Sequence, residues 1–191
     1  MKFLSTEIPD VVLIEPAIFR DARGLFLERY REEEFQKNAL PTQFVQDNIS
    51  RSLKGTVRGL HYQVEPHAQA KVVHVTQGEV FDVAVDLREG SPYFGKWVGR
   101  QLSEENRLAL FIPAGFAHGF FVMSEHAEVQ YKCSQYYVKE SDRAIRWDDP
   151  AIGINWPGQP KQELISEKDQ KAPLLKNADL NFKYPVNSSN A

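Results

Sequence analysis

The stretch "IPAGFAHGFFVMSEHAEVQYKCSQYYV" (residues 112–138) decides the fold. A Pro-Ala-Gly turn is followed by two short runs, "HGFFVMS" and "EVQYKCSQYYV", rich in aromatic and β-branched residues. Strand side chains alternate between faces. In the second run Val129, Tyr131, Cys133 and Gln135 therefore share one face, opposite Glu128, Gln130, Lys132 and Ser134. The first set is the more apolar, so Tyr131 is expected to point inward.

The same texture continues toward the N-terminus. "TVRGLHYQ", "KVVHVTQ", "EVFDVAVDLR", "KWVGRQLS" and "RLALFIP" are strand-like runs separated by Gly, Pro, Asn and Ser, and "TQGEV" reads as a tight turn between two of them. Many short strands at this spacing predict an all-β sandwich or barrel. A small antiparallel barrel of the jelly-roll kind encloses a ligand-sized pocket. Helix signals are few: "REEEFQKNAL" (31–40), ended by Pro41; a turn at "SEEN" (103–106), capped by Ser103; and "SEKDQKAPLL" near the C-terminus.

At 191 residues the chain suits one domain, residues 1–191, with a sizeable core. No repeat or linker divides it, and "NADLNFKYPVNSSNA", from about residue 177, reads as a loosely attached tail. The formal net charge is −3, which argues against general nucleic-acid binding. A single cysteine, Cys133, excludes an intramolecular disulfide and any Cys-rich zinc site. No run approaches the roughly 20 apolar residues of a membrane span. "MKFLSTEIPDVVLIEP" breaks at Glu7, Pro9 and Asp10, unlike a signal peptide. The expectation is a cytoplasmic protein.

Chemistry concentrates in "RGLHYQVEPHAQAKVV" (58–73), with His61, His67, Arg58 and Lys71. Alternation places Lys71, Val73 and Val75 on one face of their strand. It places His61 with Gly59 and Val57, and Arg58 with Leu60 and Tyr62. If Arg58 and His61 serve one ligand, the strand must break between them, and Gly59 is the residue that allows a bulge.

A metal centre is the first reading to weigh. "PAGFAH" (113–118) has the PxGxxH form that closes the second motif of cupin barrels, where the His is often a ligand. The first motif normally supplies His-x-His and then a Glu. Here Gln63 and Gln69 stand at those positions, and Gln is a poor ligand beside imidazole or carboxylate. His61 and His118 alone are too few for a usual site.

Acid–base chemistry without metal is the second reading. Lysine is almost never buried without a partner, so an inward Lys71 suggests an anion or an enolate oxygen at the barrel mouth. Histidine titrates near neutrality, which makes His61 a candidate base, and Tyr131 can donate a proton. A base, an acid and a fixed cation are the set that moves a proton on carbon beside a carbonyl. The same residues also fit an ordinary barrel wall, since tyrosine is common in strands and inward histidines are often satisfied core groups. "FVQDN" (44–48) either binds ligand or turns the chain. His74 and Cys133, with no cation evident beside the thiol, read as packing, and His126 as a solvated turn.

Read end to end, the chain resembles the dTDP-4-dehydrorhamnose 3,5-epimerase family. The matching segments, in order, are "TEIPDVVLIEP", "DARGLFLERY", "FVQDNIS", "GTVRGLHYQ", "GEVFDVAVDLR", "FGKWVG", "IPAGFAHGFFV", "YKCSQYY", "WDDPAIGINWP" and "ISEKDQKAPLL". The resemblance implies a metal-free, cofactor-free, cupin-like homodimer acting on dTDP-4-dehydro-6-deoxy-D-glucose. It implies that His61 is the base at C3 and C5, oriented by Asp169. It further implies that Lys71 stabilises the C4 enolate oxygen and that Tyr131 supplies a proton from the opposite face. Substrate binding falls to Arg23, Glu28, Gln46, Asp47, Asn48, Arg58, His118, Asp142 and Lys168. Asp142 stands where members of the family often carry Glu, and "AQAK" replaces the more usual "AQGK". A 3-epimerase of a related nucleotide 4-keto-6-deoxysugar and a non-catalytic sugar-binding cupin are the alternatives.

Overall fold

A computed structural model describes residues 1–185. The strands are β1 (Lys2–Ser5), β2 (Val12–Glu15), β3 (Ile18–Asp21), β4 (Gly24–Leu27), β5 (Gln46–Leu53), β6 (Val57–Gln63) and β7 (Lys71–Gln77). They continue with β8 (Glu79–Asp86), β9 (Trp97–Ser103), β10 (Ala109–Ile112), β11 (Phe116–Val122), β12 (His126–Cys133) and β13 (Asp142–Ala144). Helix α1 (Glu32–Lys37) lies between β4 and β5, and α2 (Glu167–Gln170) follows β13. A six-stranded sheet runs β1-β2-β10-β7-β12-β5, and a five-stranded sheet runs β13-β6-β11-β8-β9. Strands β3 and β4 form a separate hairpin. This is the all-β architecture that the strand spacing predicts, in the cupin-like form that the resemblance implies.

The alternation pattern explains why the two sheets face each other. Val73 and Val75 of β7, Val129 of β12, Leu110 and Ile112 of β10, Val80 and Ala84 of β8, and Phe116 and Phe120 of β11 form one buried cluster between them. Each buried Val, Leu, Ile or Phe side chain contributes about 1.5–3 kcal/mol. The five-stranded sheet is covered on its other face as well. There Leu60, Tyr62, Val83, Val85 and Ala117 pack against Ile145, Ile152 and Phe182 from the C-terminal segment. Burial on both faces is why β8 carries apolar residues on each of them, Val80 and Ala84 on one and Phe81, Val83 and Val85 on the other.

Helix α1 covers part of the outer face of the six-stranded sheet, burying Phe35 against Val72, Ala109 and Phe111. Glu32, Glu33 and Glu34 occupy its first turn and Lys37 its last, which suits the helix dipole. It stops short of Pro41, as expected. The "SEEN" turn is closed by the Asn106 amide donating to Ser103 Oγ at 3.0 Å, and α2 is capped by Ser166, which accepts from the Asp169 amide at 3.1 Å. Gly78, at φ 72°, turns the chain from β7 into β8. Among the described residues no helix is long and apolar enough to cross a membrane.

Two expectations need correction. The tail is not loose over its described part. Phe182 is buried, Asn181 Nδ2 donates to the Glu65 carbonyl, the Tyr62 hydroxyl donates to the Asp179 carbonyl, and Arg88 stacks on the Tyr184 ring. A few well-placed aromatics anchor a segment whose composition is otherwise polar; the tail beyond 185 lies outside the described residues.

The faces of β6 also differ from simple alternation. His118 pairs with His61, but Phe120 pairs with Arg58, so two steps on β11 match three on β6. One extra residue on β6 turns Arg58 to the inner face with His61. It turns Val57 outward, onto Phe121 and Ile165.

Candidate active site

That bulge builds the site. Gly59 has φ 133°, a region closed to most side chains, and a Cβ there would sit 2.5 Å from Gly119 Cα. Gly119 is as tightly placed, since its own added Cβ would meet the Arg58 carbonyl oxygen at 2.7 Å. Two facing glycines thus let β6 bend against β11, with Arg58 and His61 on one cavity wall.

Between the sheets lies a cavity of about 410 Å³, lined by Gln46 and Asn48 of β5, His61 of β6, Lys71 of β7 and Tyr131 of β12. Asp142 and Lys168 stand at its rim. A recess of about 90 Å³ shares His61, Lys71 and Tyr131, and adds Arg58, Ser50 and His118. The pocket thus gathers nine expected site residues from six strands and the α2 segment.

His61 is held from behind. Its Nε2 lies 2.6 Å from Asp169 Oδ1, and the Gly59 amide donates to Asp169 Oδ2 at 3.3 Å. Burial pushes the Asp169 carboxyl up. The hydrogen bonds and charge supplied by His61, Gly59 and Ser166 outweigh that and leave it below the ordinary carboxylate value. An ionised carboxylate only accepts, so the hydrogen of this bond lies on Nε2.

Lys71 and Tyr131 complete the set. Burial pulls the Lys71 ammonium below its ordinary value, opposed by the neighbouring Cys133 and by the charges of Asp82 and Asp142. Its Nζ lies 5.9 Å from the Tyr131 ring centroid. Burial raises the Tyr131 phenol, so at neutral pH it is a proton donor. Cys133 sits directly opposite Lys71 in the register, so a cation does lie beside the thiol. Burial still raises the thiol overall, which keeps it protonated and leaves the packing reading in place by another route.

At the rim, Asp142 receives both the Lys168 ammonium and, at 3.1 Å, the Tyr137 hydroxyl. Gln63 and Gln69, at the positions of cupin ligands, spend their amides on backbone. Gln63 bonds the His67 and Tyr136 carbonyls and accepts from the Val138 amide; Gln69 donates to the Gln135 carbonyl. Among the described residues no group of three or more His, Cys, Asp or Glu side chains is arranged to hold a metal ion. His67 bonds Ser141 Oγ at 2.8 Å. Burial and the neighbouring Arg29 pull His74 down to about 4, so it stays neutral.

Three expected residues are not brought together with the pocket in this chain. Asp47 alternates to the outer face of β5, where it pairs with Lys132 at 2.9 Å. Arg23 stands at the tip of the β3–β4 hairpin, bonded to Asp21. Glu28 pairs with Arg31 just beyond that hairpin. Sequence reasoning missed Tyr137 and Asp82. Asp82 had a legible signal, an acid sharing the inward face of β8 with Val80 and Ala84.

A jelly-roll barrel that gathers a histidine–carboxylate pair, a buried tyrosine and a desolvated lysine around one cavity defines a cupin-like protein. Comparison with known proteins agrees. The family model described as dTDP-4-dehydrorhamnose 3,5-epimerase matches residues 5–177. The dTDP-4-dehydrorhamnose 3,5-epimerase of Pseudomonas aeruginosa is 52% identical over 180 residues, covering 94% of this chain and 98% of that protein. A Neisseria gonorrhoeae relative of the same description is 54% identical over 169 residues, 88% of this chain, and the chain spans only 51% of its length. The crystal structure of a dTDP-6-deoxy-D-glucose-3,5-epimerase from Legionella pneumophila, in complex with dTDP-4-keto-L-rhamnose, superposes with a TM-score of 0.91 at 46% identity, covering 97% of this chain and 99% of that one. The chain belongs to the dTDP-4-dehydrorhamnose 3,5-epimerase family.

Proposed function

We propose that this chain is an isomerase that converts dTDP-4-dehydro-6-deoxy-D-glucose to dTDP-4-dehydro-L-rhamnose, inverting C3 and C5 with its own side chains. The observation that carries the reading is the placement of the His61–Asp169 pair, Lys71 and Tyr131 around one cavity. His61 removes the proton beside the C4 ketone, and Asp169 supports the imidazolium that forms. The electron pair moves onto O4, where the preplaced Lys71 ammonium meets the developing charge. Tyr131 delivers a proton to the opposite face of the same carbon. Proton exchange with solvent resets both groups, and a ring flip presents the second carbon to the same set.

Substrate binding in this reading uses Arg58 and His118 in the recess, Gln46 and Asn48 on β5, and Asp142 and Lys168 at the rim. Arg23 and Glu28 serve the site of a second copy. The β3–β4 hairpin exposes Phe19 (62%) and Phe26 (69%), and the open face of β5 exposes Ile49 and Leu53. Such apolar surface on a detached hairpin and an open sheet supports exchange of hairpins across a two-fold axis in a homodimer. The chain acts as one domain, in the cytoplasm, without metal or cofactor.

Proton NMR of the purified protein with dTDP-4-dehydro-6-deoxy-D-glucose tests the activity. The L-rhamno product is expected. A product inverted at C3 alone makes the chain a 3-epimerase, and unchanged substrate makes it a binder.

A further inference from the structure

Behind the recess lies a second histidine–carboxylate pair. His118 Nε2 is 2.8 Å from Asp82 Oδ2, both residues buried, and Asp82 is fully enclosed. Asp82 Oδ1 is buried with no hydrogen-bond partner. A buried carboxylate with an unpartnered oxygen is costly unless a charge nearby offsets it. His118 and Lys71 of β7 line the same recess, and the charge of Asp82 favours the Lys71 ammonium there. Lys71 itself forms no ion pair with any carboxylate of the described residues.

We propose that Asp82 is a positioning residue for the epimerisation. Its charge supports the Lys71 ammonium in the recess that Lys71 lines with His118, and its hydrogen bond fixes His118 as the tautomer with the proton on Nε2, directed at Asp82. The titratable and charged groups around Lys71 are Asp82 on β8, Asp142 on β13, Tyr131 and Cys133 on β12, Arg58 and His61 on β6, and His118 on β11. Asp142 is engaged by Lys168 at the rim, and Tyr131 and Cys133 are neutral. That leaves Asp82 as the anion committed to the interior. A lysine at an enolate oxygen works only while protonated, and a carboxylate that forms no ion pair with it supports its charge without quenching it.

This inference rests on Lys71 being the oxyanion partner. Asp82→Asn keeps an acceptor for His118 and removes the charge. Its kcat and KM are to be measured from about pH 6 to 10 beside wild type, Asp82→Glu and Lys71→Met, with dTDP affinity and thermal stability as controls. Asp82→Asn is expected to retain dTDP affinity and to lose roughly ten- to a hundredfold in kcat. Its alkaline limb should move down by about 1 pH unit or more, and Asp82→Glu should restore part of both. A wild-type kcat and alkaline limb in Asp82→Asn, with Lys71→Met inactive, overturns the role of Asp82 alone. An active Lys71→Met overturns the underlying assignment. If the Asp82 variants do not fold, ¹⁵N NMR of histidine-labelled wild type decides the hydrogen-bond part: His118 must carry its proton on Nε2, and a proton on Nδ1 overturns it.

Discussion

His61 and Asp169 stand 108 residues apart in the chain and 2.6 Å apart in the fold. The bulge at Gly59 turns the imidazole into the cavity, and the cap at Ser166 sets the short α2 helix so that Asp169 meets the ring from behind.

The pair has a pH signature. The Asp169 carboxyl is lowered in the folded protein, so its contribution to stability is present above its ordinary value of 3.8 and is lost as the pH falls through the lower folded value. Thermal unfolding from about pH 2 to 5 should show that loss in wild type, and Asp169→Asn should flatten it. The same variant should lose roughly 10²–10⁴-fold in kcat at neutral pH, because the imidazolium is no longer supported. A fully active Asp169→Asn would remove the carboxylate from the mechanism.

Tyr131 makes a separable prediction. Burial raises its phenol, so at neutral pH it holds its proton and is available to donate it. Tyr131→Phe should therefore block inversion while substrate hydrogens still exchange slowly with solvent from the His61 face. Product stereochemistry and deuterium uptake, measured together, check this; loss of both would mean Tyr131 is needed before the enolate forms.

Gly59 tests the scaffold. An alanine methyl there meets Gly119 Cα at 2.5 Å in a backbone region that side chains rarely adopt. Gly59→Ala should cost about 1–3 kcal/mol or more in chemical denaturation and lower activity with it. A stable, active variant would show that the bulge does not need glycine.

The dimer prediction concerns Arg23. If hairpins are exchanged, Arg23→Ala and His61→Asn lie in different chains of the same site. Co-expressed, the two inactive variants should form mixed dimers with one intact site, restoring roughly a quarter of wild-type sites on random pairing. Activity no greater than the sum of the separate variants, or an active monomer in sedimentation, argues that Arg23 acts within its own chain or not at all.

Much of this was legible in the sequence, for identifiable reasons. Period-two alternation places Tyr131 and Lys71 inward correctly because β12 and β7 are regular where those residues stand. It misplaces Val57, because one extra residue at Gly59 inverts every face N-terminal to it. Asp82 was readable on the same alternation, but an acid inside "EVFDVAVD" is lost among residues buried on both faces. The packed C-terminal segment was hidden by its polar composition, which a single Phe182 and the Tyr184–Arg88 stack override. The join between His61 and Asp169 has no local signal at all, and only the likeness to a family suggested it.

The central claim is that His61 forms the enolate. Deuterium uptake at C3 and C5 of dTDP-4-dehydro-6-deoxy-D-glucose in deuterated water, followed for wild type and His61→Asn, tests it most directly. Wild type should take up deuterium at both carbons, and the variant at neither, with dTDP affinity retained. Exchange at C3 in His61→Asn at near the wild-type rate would contradict the account.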